Sequence, residues 1–301
     1  MRNYIDVLLP NLVGQKIMIA GSNGYIGTEL VHQLELNNIP YTGIDKIPSS
    51  KNNCLNFNLS NRKQVLDVVA TEKPDYFFHM ATHSALAYKN DFLNVFHEDM
   101  AALHNIISGL KKSNNTLLVY FSSSYVYSGL DCNENVNENT ILSPTHNFGL
   151  AKSFFEQLIL RTYPCSIIFR LSSVFGKGKY LHPNAIEVMA QEAMNDKILT
   201  IWGNGSRKMQ YIFLEDVVKY ILKAPKLQTG IYNLGGHSYD TIIATANHIA
   251  EYFDAKIKIL PDKKEGETLP HMKNTKIINA VQDCFTEHKA ALTQYLADIS
   301  S

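Results

Sequence analysis

The stretch IMIAGSNGYIG, residues 17–27, determines which fold the sequence predicts. A short apolar run typical of a buried strand leads into three glycines, Gly21, Gly24 and Gly27, and then into an amphipathic segment. The first glycine permits a tight turn, the second lets backbone approach a phosphate, and the third lets helix and strand pack closely. By itself the triplet also fits an ordinary strand-to-helix turn. In a suitable context it holds the pyrophosphate of a dinucleotide over the helix N-terminus.

Asp45, which ends the next predicted strand, supplies that context. A carboxylate at this place accepts both ribose hydroxyls of an adenosine and repels a 2′-phosphate, so NAD is favoured over NADP. The adjacent Lys46 keeps NADP as the weaker alternative. The residues expected to bind the cofactor around this turn are Gly21, Asn23, Gly24, Tyr25, Ile26, Gly27, Asp45 and Lys46.

The first half of the chain alternates short apolar runs with longer amphipathic ones. Strands are predicted at 16–21, 41–45, 76–81, 117–123 and 166–171, and helices near 25–36, 62–72, 88–112 and 147–162. Continuous apolar runs are typical of strands buried on both faces of a parallel sheet, and this alternation predicts a doubly wound, Rossmann-like α/β fold. Residues 1–172 are expected to form the dinucleotide-binding domain and 173–301 a smaller, interleaved substrate-binding lobe. In that lobe, helices are predicted near 183–195, 214–223 and 241–253, with strands at 198–202 and 230–235.

Composition excludes several other classes of protein. Among the 301 residues, Lys plus Arg and Asp plus Glu both number 28, which indicates neither a nucleic-acid patch nor a membrane-binding surface. No run approaches the roughly 20 apolar residues of a membrane span, and residues 1–14 do not resemble a signal peptide. The four cysteines are scattered and predict reduced thiols in a cytoplasmic, soluble protein, with no metal site expected.

Five further motifs, taken in order, make the sequence resemble one family. They are Asn58-Leu59, HMAT (79–82), SSSYVYSG (122–129), RLSSVFG (170–176) and GNGSRKMQYIFLED (203–216). On these residues the chain resembles the extended short-chain dehydrogenases/reductases of the NAD-dependent epimerase/dehydratase family, which act on nucleotide sugars. The resemblance covers nearly the whole chain. It adds Asn58, Leu59, Met80, Ala81, Thr82 and Lys152 to the expected cofactor-binding residues.

The resemblance also implies a mechanism, in which a sugar hydroxyl loses its proton as a hydride moves to nicotinamide. In the family, a Tyr handles the proton, a Lys lowers the pKa of that Tyr, and a Ser or Thr bonds the reacting oxygen. The matching positions here are Ser123, Lys152 and, in place of the Tyr, Phe148.

Phe148 has no proton to transfer, and three hypotheses account for it. The first is a deliberate Tyr→Phe substitution made to trap substrate, since FGLAKSFFEQ otherwise matches the family's YGxSKxxxE. The second is a natural enzyme with another proton donor, for which Tyr125 is the best candidate and His146 and His83 are weaker ones. The third is a non-catalytic NAD-binding scaffold or sensor.

Other departures from the family concern the substrate. Met209 replaces an Arg that usually holds the substrate diphosphate, and Ser173 replaces an Asn. Arg207, Lys177 or Lys179 is therefore expected to hold the diphosphate. The full set of expected substrate-binding residues is His83, Ser84, Ser124, Ser173, Lys177 and Arg207.

Subclass follows partly by exclusion. The dehydratases carry an Asp-Glu pair, and the decarboxylases a Glu, where this chain has Ser124-Tyr125. A 4-epimerase or a 4-ketoreductase remains. The resemblance further implies a homodimer through a four-helix bundle formed by residues 88–112 and 147–162 of both subunits.

Overall fold

The computed structural model describes residues 12–113, 115–178 and 182–301. Two expectations fall outside these ranges: most of the N-terminal segment judged for a signal peptide, and a diphosphate contact from Lys179. Within them, the strands are β1 (Ile17–Ala20), β2 (Tyr41–Asp45), β3 (Cys54–Asn56), β4 (Tyr76–His79), β5 (Leu117–Ser123), β6 (Asn135–Val136), β7 (Ser166–Leu171), β8 (Ser173–Phe175), β9 (Ile198–Trp202), β10 (Lys208–Phe213), β11 (Gly230–Leu234), β12 (Tyr239–Thr241), β13 (Lys256–Leu260) and β14 (His271–Met272).

The α-helices of the same ranges are α1 (Tyr25–Leu36), α2 (Arg62–Glu72), α3 (Ala85–Asn90), α4 (Phe92–Leu110), α5 (Asn147–Thr162), α6 (Ala185–Asp196), α7 (Leu214–Leu222), α8 (Ile242–Phe253), α9 (Thr275–Val281) and α10 (His288–Ser300). None of the helices in the described part of the chain is long and apolar enough to cross a membrane.

The central sheet has seven strands in the order β11-β7-β5-β4-β1-β2-β3, and every neighbouring pair is parallel. From β1 the chain runs to β2 and β3 on one side and returns to β4 on the other side. The strand order therefore reverses between β1 and β4, where ligands of doubly wound sheets bind at the carboxyl ends of the strands. The predicted fold class is confirmed.

Side chains of β1 alternate between two hydrophobic layers, as the period of a strand requires. Ile17 and Ile19 pack in one layer with helices α1 and α7. Met18 and Ala20 pack in the opposite layer with helices α2, α4 and α5. Because β1 is buried on both faces, the glycine turn that follows it starts from a rigid support.

A third hydrophobic cluster joins helices α6, α8 and α10 to β9 and β10. A three-stranded sheet, β12-β10-β8, and the pair β13-β9 belong to this part of the molecule. Strand β11, however, returns from the later half of the chain to the edge of the central sheet, beside β7. The division into 1–172 and 173–301 remains a prediction.

The prediction of one continuous helix at 88–112 is wrong, because two helices, α3 and α4, occupy this region. Helix α3 ends and α4 begins at Asp91, whose backbone has φ −149° and ψ 80°. The Asp91 carboxylate accepts hydrogen bonds from the backbone N–H of Asn94 at 3.4 Å and from its side-chain amide at 2.7 Å. Asp is a favoured N-cap residue, and this cap starts a new helix where the apolar pattern alone indicated a continuous one.

Candidate active site

The glycine turn after β1 is packed too tightly for a side chain at Gly21 or Gly27. Gly21 has a φ of +89°, and a Cβ atom there would lie 2.8 Å from the backbone N of Ala81. A Cβ atom on Gly27 would lie 1.9 Å from the carbonyl oxygen of Gly21. Helix α1 then begins at Tyr25 without a side-chain cap, which leaves its first N–H groups for an anion. The turn therefore fits the pyrophosphate of a dinucleotide.

Asp45 is buried at the end of β2 and is joined to this turn. Its Oδ2 accepts a hydrogen bond from the backbone N–H of Asn23 at 2.9 Å, and its Oδ1 accepts one from Ile47 at 2.9 Å. The Asn23 side chain in turn donates to the carbonyl oxygen of Ile47 at 2.7 Å. Carboxylate oxygens have further lone pairs, so Asp45 fits a role as acceptor for ribose hydroxyls. Lys46 is exposed beside it.

Lys152 is the most constrained charged residue of the site. Its side chain is 2% exposed, and Nζ donates to Thr82 Oγ1 at 3.0 Å, Tyr120 OH at 3.2 Å and the carbonyl oxygen of Phe121 at 2.8 Å. Burial lowers the pKa of Lys152 to about 8, although the nearby carboxylates of Asp99 and Glu156 act to raise it. The ammonium is thus held between β5 and the loop after β4.

The ring of Phe148 lies beside this ammonium. Lys152 Nζ is 5.3 Å from the ring centroid, a distance at which a cation interacts with an aromatic ring. Tyr88 and Tyr125 also border the ring, with centroids at 5.6 Å and 6.0 Å. Phe148 and Lys152 are four residues apart on α5, so they share a helix face.

The two residues considered as substitute donors near Phe148 differ in position. Tyr125 is half-buried in a short 3₁₀ helix (Ser124–Tyr127), and its ring lies 4.6 Å from that of His146. His146 is the N-cap of α5, where its Nδ1 accepts the backbone N–H of Phe148 at 3.1 Å. Burial lowers the pKa of His146. The structure therefore explains His146 as a helix cap.

A cavity opens next to Ser123, between the central sheet and the later part of the chain. Ser123 is buried, and its Oγ accepts the backbone N–H of Tyr125 at 3.3 Å. Most of the lining residues have polar side chains, four of them serines, which can form hydrogen bonds with the hydroxyl groups of a sugar. The lining residues are Ser123, Ser124, Tyr125, Ser172, Ser173, Arg207, Lys208, Met209, Gln210, Leu269 and Pro270.

The basic residues expected to hold a diphosphate occupy different places. Arg207 lines the cavity, and its Nε donates to the carbonyl oxygen of Glu267 at 2.8 Å. Lys177 instead donates from Nζ to the carbonyl oxygen of Asp298 in α10 at 2.6 Å and is not among the lining residues. Lys208 lines the cavity but was missed by sequence reasoning, since nothing in the family motif singles out that position.

Four other predicted residues lie away from this cavity. Leu59 is buried in the hydrophobic layer of α2 and α4, whereas Asn58 is exposed and accepts the backbone N–H of Ser60 at 3.0 Å. Ser84 caps α3 by accepting the N–H of Ala87 at 3.2 Å. His83 is bound to α4, as described below. Within the described ranges, no group of three or more His, Cys, Asp or Glu side chains is arranged to hold a metal ion.

Asp99 of α4 is the main residue that the sequence analysis missed. It is 5% exposed and accepts hydrogen bonds from His83 Nδ1 at 2.7 Å and from Tyr88 OH at 2.7 Å. The signal in the sequence was an acidic residue on the apolar face of a helix, where an unpaired charge is costly.

Comparison with known proteins identifies the family. A family model described as the NAD dependent epimerase/dehydratase family matches residues 17–235. A dTDP-D-glucose 4,6-dehydratase of Dictyostelium discoideum is 27% identical over 78% of this chain, and the chain spans only 60% of that protein's length. An uncharacterized UDP-glucose epimerase, YtcB, of Bacillus subtilis is 26% identical over 95% of this chain and 98% of its own length.

Solved structures agree in fold. The UDP-glucose 4-epimerase of Thermus thermophilus, in complex with NAD, has a TM-score of 0.84 at 16% identity and covers 95% of this chain and 99% of its own. The UDP-glucose 4-epimerase of Thermotoga maritima also has a TM-score of 0.84, at 17% identity, over 95% and 98% of the two chains. The family match covers the glycine turn, Asp45, Ser123 and Lys152. The chain belongs to the NAD-dependent epimerase/dehydratase family, an enzyme family of nucleotide-sugar chemistry whose cofactor is NAD.

Proposed function

We propose that this protein is an NAD-dependent oxidoreductase that acts on a nucleotide-linked sugar, of the 4-epimerase or 4-ketoreductase type. The observation that carries the proposal is Lys152, a buried ammonium held at the C-terminal end of β5, next to a serine-lined cavity. Ser124 and Tyr125 line that cavity at the positions where dehydratases and decarboxylases of the family carry acids. The lack of a carboxylate at these two positions disfavours elimination and decarboxylation.

The residues of the chain have separate roles in this reaction. When bound, NAD would supply the hydride acceptor for a 4-epimerase, and NADH the hydride donor for a 4-ketoreductase. Ser123 donates a hydrogen bond to the reacting sugar oxygen, and Lys152 holds the nicotinamide ribose and places a positive charge where negative charge develops. The glycine turn and Asp45 hold the other half of the cofactor.

The site lacks a proton-transfer group at position 148. We infer that Phe148 replaces a catalytic tyrosine and that this replacement inactivates the enzyme. The ring already lies beside Lys152, whose charge would lower the pKa of a phenol at the same place. Phe148→Tyr should therefore raise kcat by about 10² to 10⁴, the usual contribution of a general acid–base group. NAD-dependent turnover of UDP- and dTDP-linked sugars measures the effect.

The second candidate is a natural enzyme in which Tyr125 transfers the proton, and its position in the lining of the cavity favours it. In that case the unsubstituted protein is already active, Phe148→Tyr changes little and Tyr125→Phe abolishes turnover. In the first case, Tyr125→Phe has little effect in a Phe148→Tyr background. If both variants bind NAD but turn over none of the sugars, the protein is an NAD-binding scaffold or sensor and the enzyme proposal fails.

For the substrate diphosphate, we propose Arg207 as the main ligand, with Lys208 beside it. Both residues line the cavity, and Lys177 is already bound to a carbonyl oxygen of α10. Arg207 keeps its terminal guanidinium nitrogens for a phosphate when Nε binds Glu267, a geometry suited to a bidentate contact.

For the partner, we propose a second copy of the chain. Helices α4 and α5 lie side by side, joined by the rings of Phe96 and Phe154 at 5.3 Å. Large apolar side chains nevertheless point outward from both helices, with Leu93 76% exposed and Phe154 47% exposed. A four-helix bundle between two subunits would bury them.

A further inference from the structure

His83, in the loop between β4 and α3, pairs with Asp99 of α4. His83 Nδ1 lies 2.7 Å from Asp99 Oδ1, and the backbone N–H of His83 donates to Oδ2 of the same carboxylate at 3.2 Å. Tyr88 OH donates to Oδ2 at 2.7 Å. Asp99 is buried, whereas the His83 side chain remains 24% exposed. The pair therefore presents an imidazole to solvent while its carboxylate is fixed inside the protein.

The position of His83 is at the edge of the cofactor crevice. The preceding residue, Thr82, accepts a hydrogen bond from Lys152 at 3.0 Å, on the nicotinamide side. Ala81 is packed against the glycine turn at Gly21. The charge of Lys46, on the adenosine side, acts to lower the pKa of His83. The two residues that precede His83 thus contact the nicotinamide side and the glycine turn, the part of the crevice expected to hold the pyrophosphate.

The charged groups around His83 make the net charge near a bound pyrophosphate depend on whether His83 is protonated. From α4, Asp99 and Glu98 present two carboxylates, the latter 3.4 Å from Nε2. The hydrogen bond to Asp99 raises the pKa of His83 above its ordinary value. Asp99 is ionised, because its bonds from His83 and Tyr88 and the charge of Lys152 lower its pKa against the effect of burial. With a neutral His83, two carboxylates would face a ligand that itself carries two negative charges.

We propose that His83 is a cofactor-binding residue, and that the His83–Asp99 pair makes the affinity for the dinucleotide pyrophosphate depend on pH, with tighter binding to the imidazolium form. This assigns His83 to the cofactor instead of the sugar. The inference rests on NAD as the cofactor and is independent of whether any sugar is turned over.

The test measures dissociation constants for NADH, the β-methyl ester of ADP and adenosine between pH 5.5 and 9. The methyl ester is the decisive probe, because its pyrophosphate, like that of NAD, keeps two negative charges throughout this range. It also lacks the nicotinamide ribose expected on Lys152, whose own titration near pH 8 would otherwise contribute. The Kd of the methyl ester should rise roughly threefold to tenfold from low to high pH, the size of one partly screened charge interaction. The Kd of adenosine should stay constant.

His83→Gln should remove this pH dependence and bind the β-methyl ester of ADP at all pH values about as weakly as the unsubstituted protein does at high pH. His97→Gln, at an exposed histidine of α4, is the matched control and should keep the full dependence. Melting temperatures establish that each variant is folded. A pH dependence that persists in His83→Gln, or that adenosine shares, would overturn the proposal without touching the proposed sugar chemistry.

Discussion

Asp45 is the single residue on which the choice between NAD and NADP depends. Its carboxylate is already oriented by the N–H groups of Asn23 and Ile47, so it does not have to be ordered when the ribose binds. Charge-assisted hydrogen bonds are about twice as strong as neutral ones. A preorganised acceptor of this kind should dominate the affinity for the adenosine half.

We predict that Asp45→Asn weakens NADH binding by roughly tenfold to a hundredfold, the loss of about 1.5–3 kcal/mol for hydrogen bonds to a charged group. The same change should reduce the preference for NADH over NADPH, because the negative charge of Asp45, which repels a 2′-phosphate, is removed. Titration with both cofactors measures the effect, and Asp67→Asn, at an exposed carboxylate of α2, is the control. Tighter binding of NADPH than of NADH by the unsubstituted protein would contradict the role of Asp45.

At the scale of elements, helix α6 links the second part of the chain to the glycine turn. Asn184 and Glu187 form a capping box, in which Glu187 Oε2 accepts the backbone N–H of Asn184 at 2.7 Å. The other carboxylate oxygen lies 3.1 Å from the hydroxyl of Tyr25, which also donates to the carbonyl oxygen of Gly176 at 2.9 Å. One carboxyl group thus caps a helix and touches the cofactor turn.

Burial raises the pKa of Glu187 to about 7 from its ordinary value near 4.5. The native state therefore binds a proton more tightly than the unfolded chain does. The stabilising contribution is fully present below about pH 4.5 and is lost as pH rises through about 7.

We predict that Glu187→Gln removes this loss, so that above pH 8 the variant is more stable than the unsubstituted protein, by up to about 3 kcal/mol. Urea unfolding at pH 5 and pH 8 measures the free energy of unfolding. Glu251→Gln, at an exposed position of α8, is the control and should change the free energy of unfolding by the same amount at both pH values. An equal effect of Glu187→Gln at pH 5 and pH 8 would show that its carboxyl group does not titrate in this range.

At the scale of the whole molecule, the proposed dimer would cover the outward side of α4 and α5. Leu93 and Phe154 are large apolar side chains on these helices, 76% and 47% exposed in the single chain. Placing a carboxylate there should disrupt an apolar interface but leave a monomer unharmed.

We predict that Phe154→Glu converts a dimer into a monomer, since the loss of a large apolar anchor costs about 2 kcal/mol or more in association. Sedimentation at micromolar concentration measures the mass. Trp202→Glu, at an exposed residue of β9, should leave the dimer intact. A monomeric mass for the unsubstituted protein would reject the interface.

Local pattern alone determined much of this fold. The strands predicted at 41–45, 117–123 and 166–171 and the helices predicted at 25–36, 62–72 and 147–162 have the observed bounds. The spacing of apolar residues and the placement of glycines depend on residues that are close together in the chain, so both can be recognised in a single sequence. The short strands of the later half, such as β6 and β14, were not predicted, because two-residue strands exist only through their pairing across the chain.

The candidate site was also predicted only in part. The glycine turn, Asp45 and Lys152 were predicted from their residue types and their spacing in the motifs, but the residues that contact them were not predicted. Only the tertiary structure decided that Leu59 belongs to the core, that Lys177 binds α10, and that Asp99 holds His83. Each of these depends on a contact between residues far apart in the chain. Desolvation and hydrogen bonding set the charge of a buried group, and neither exists until the chain has folded.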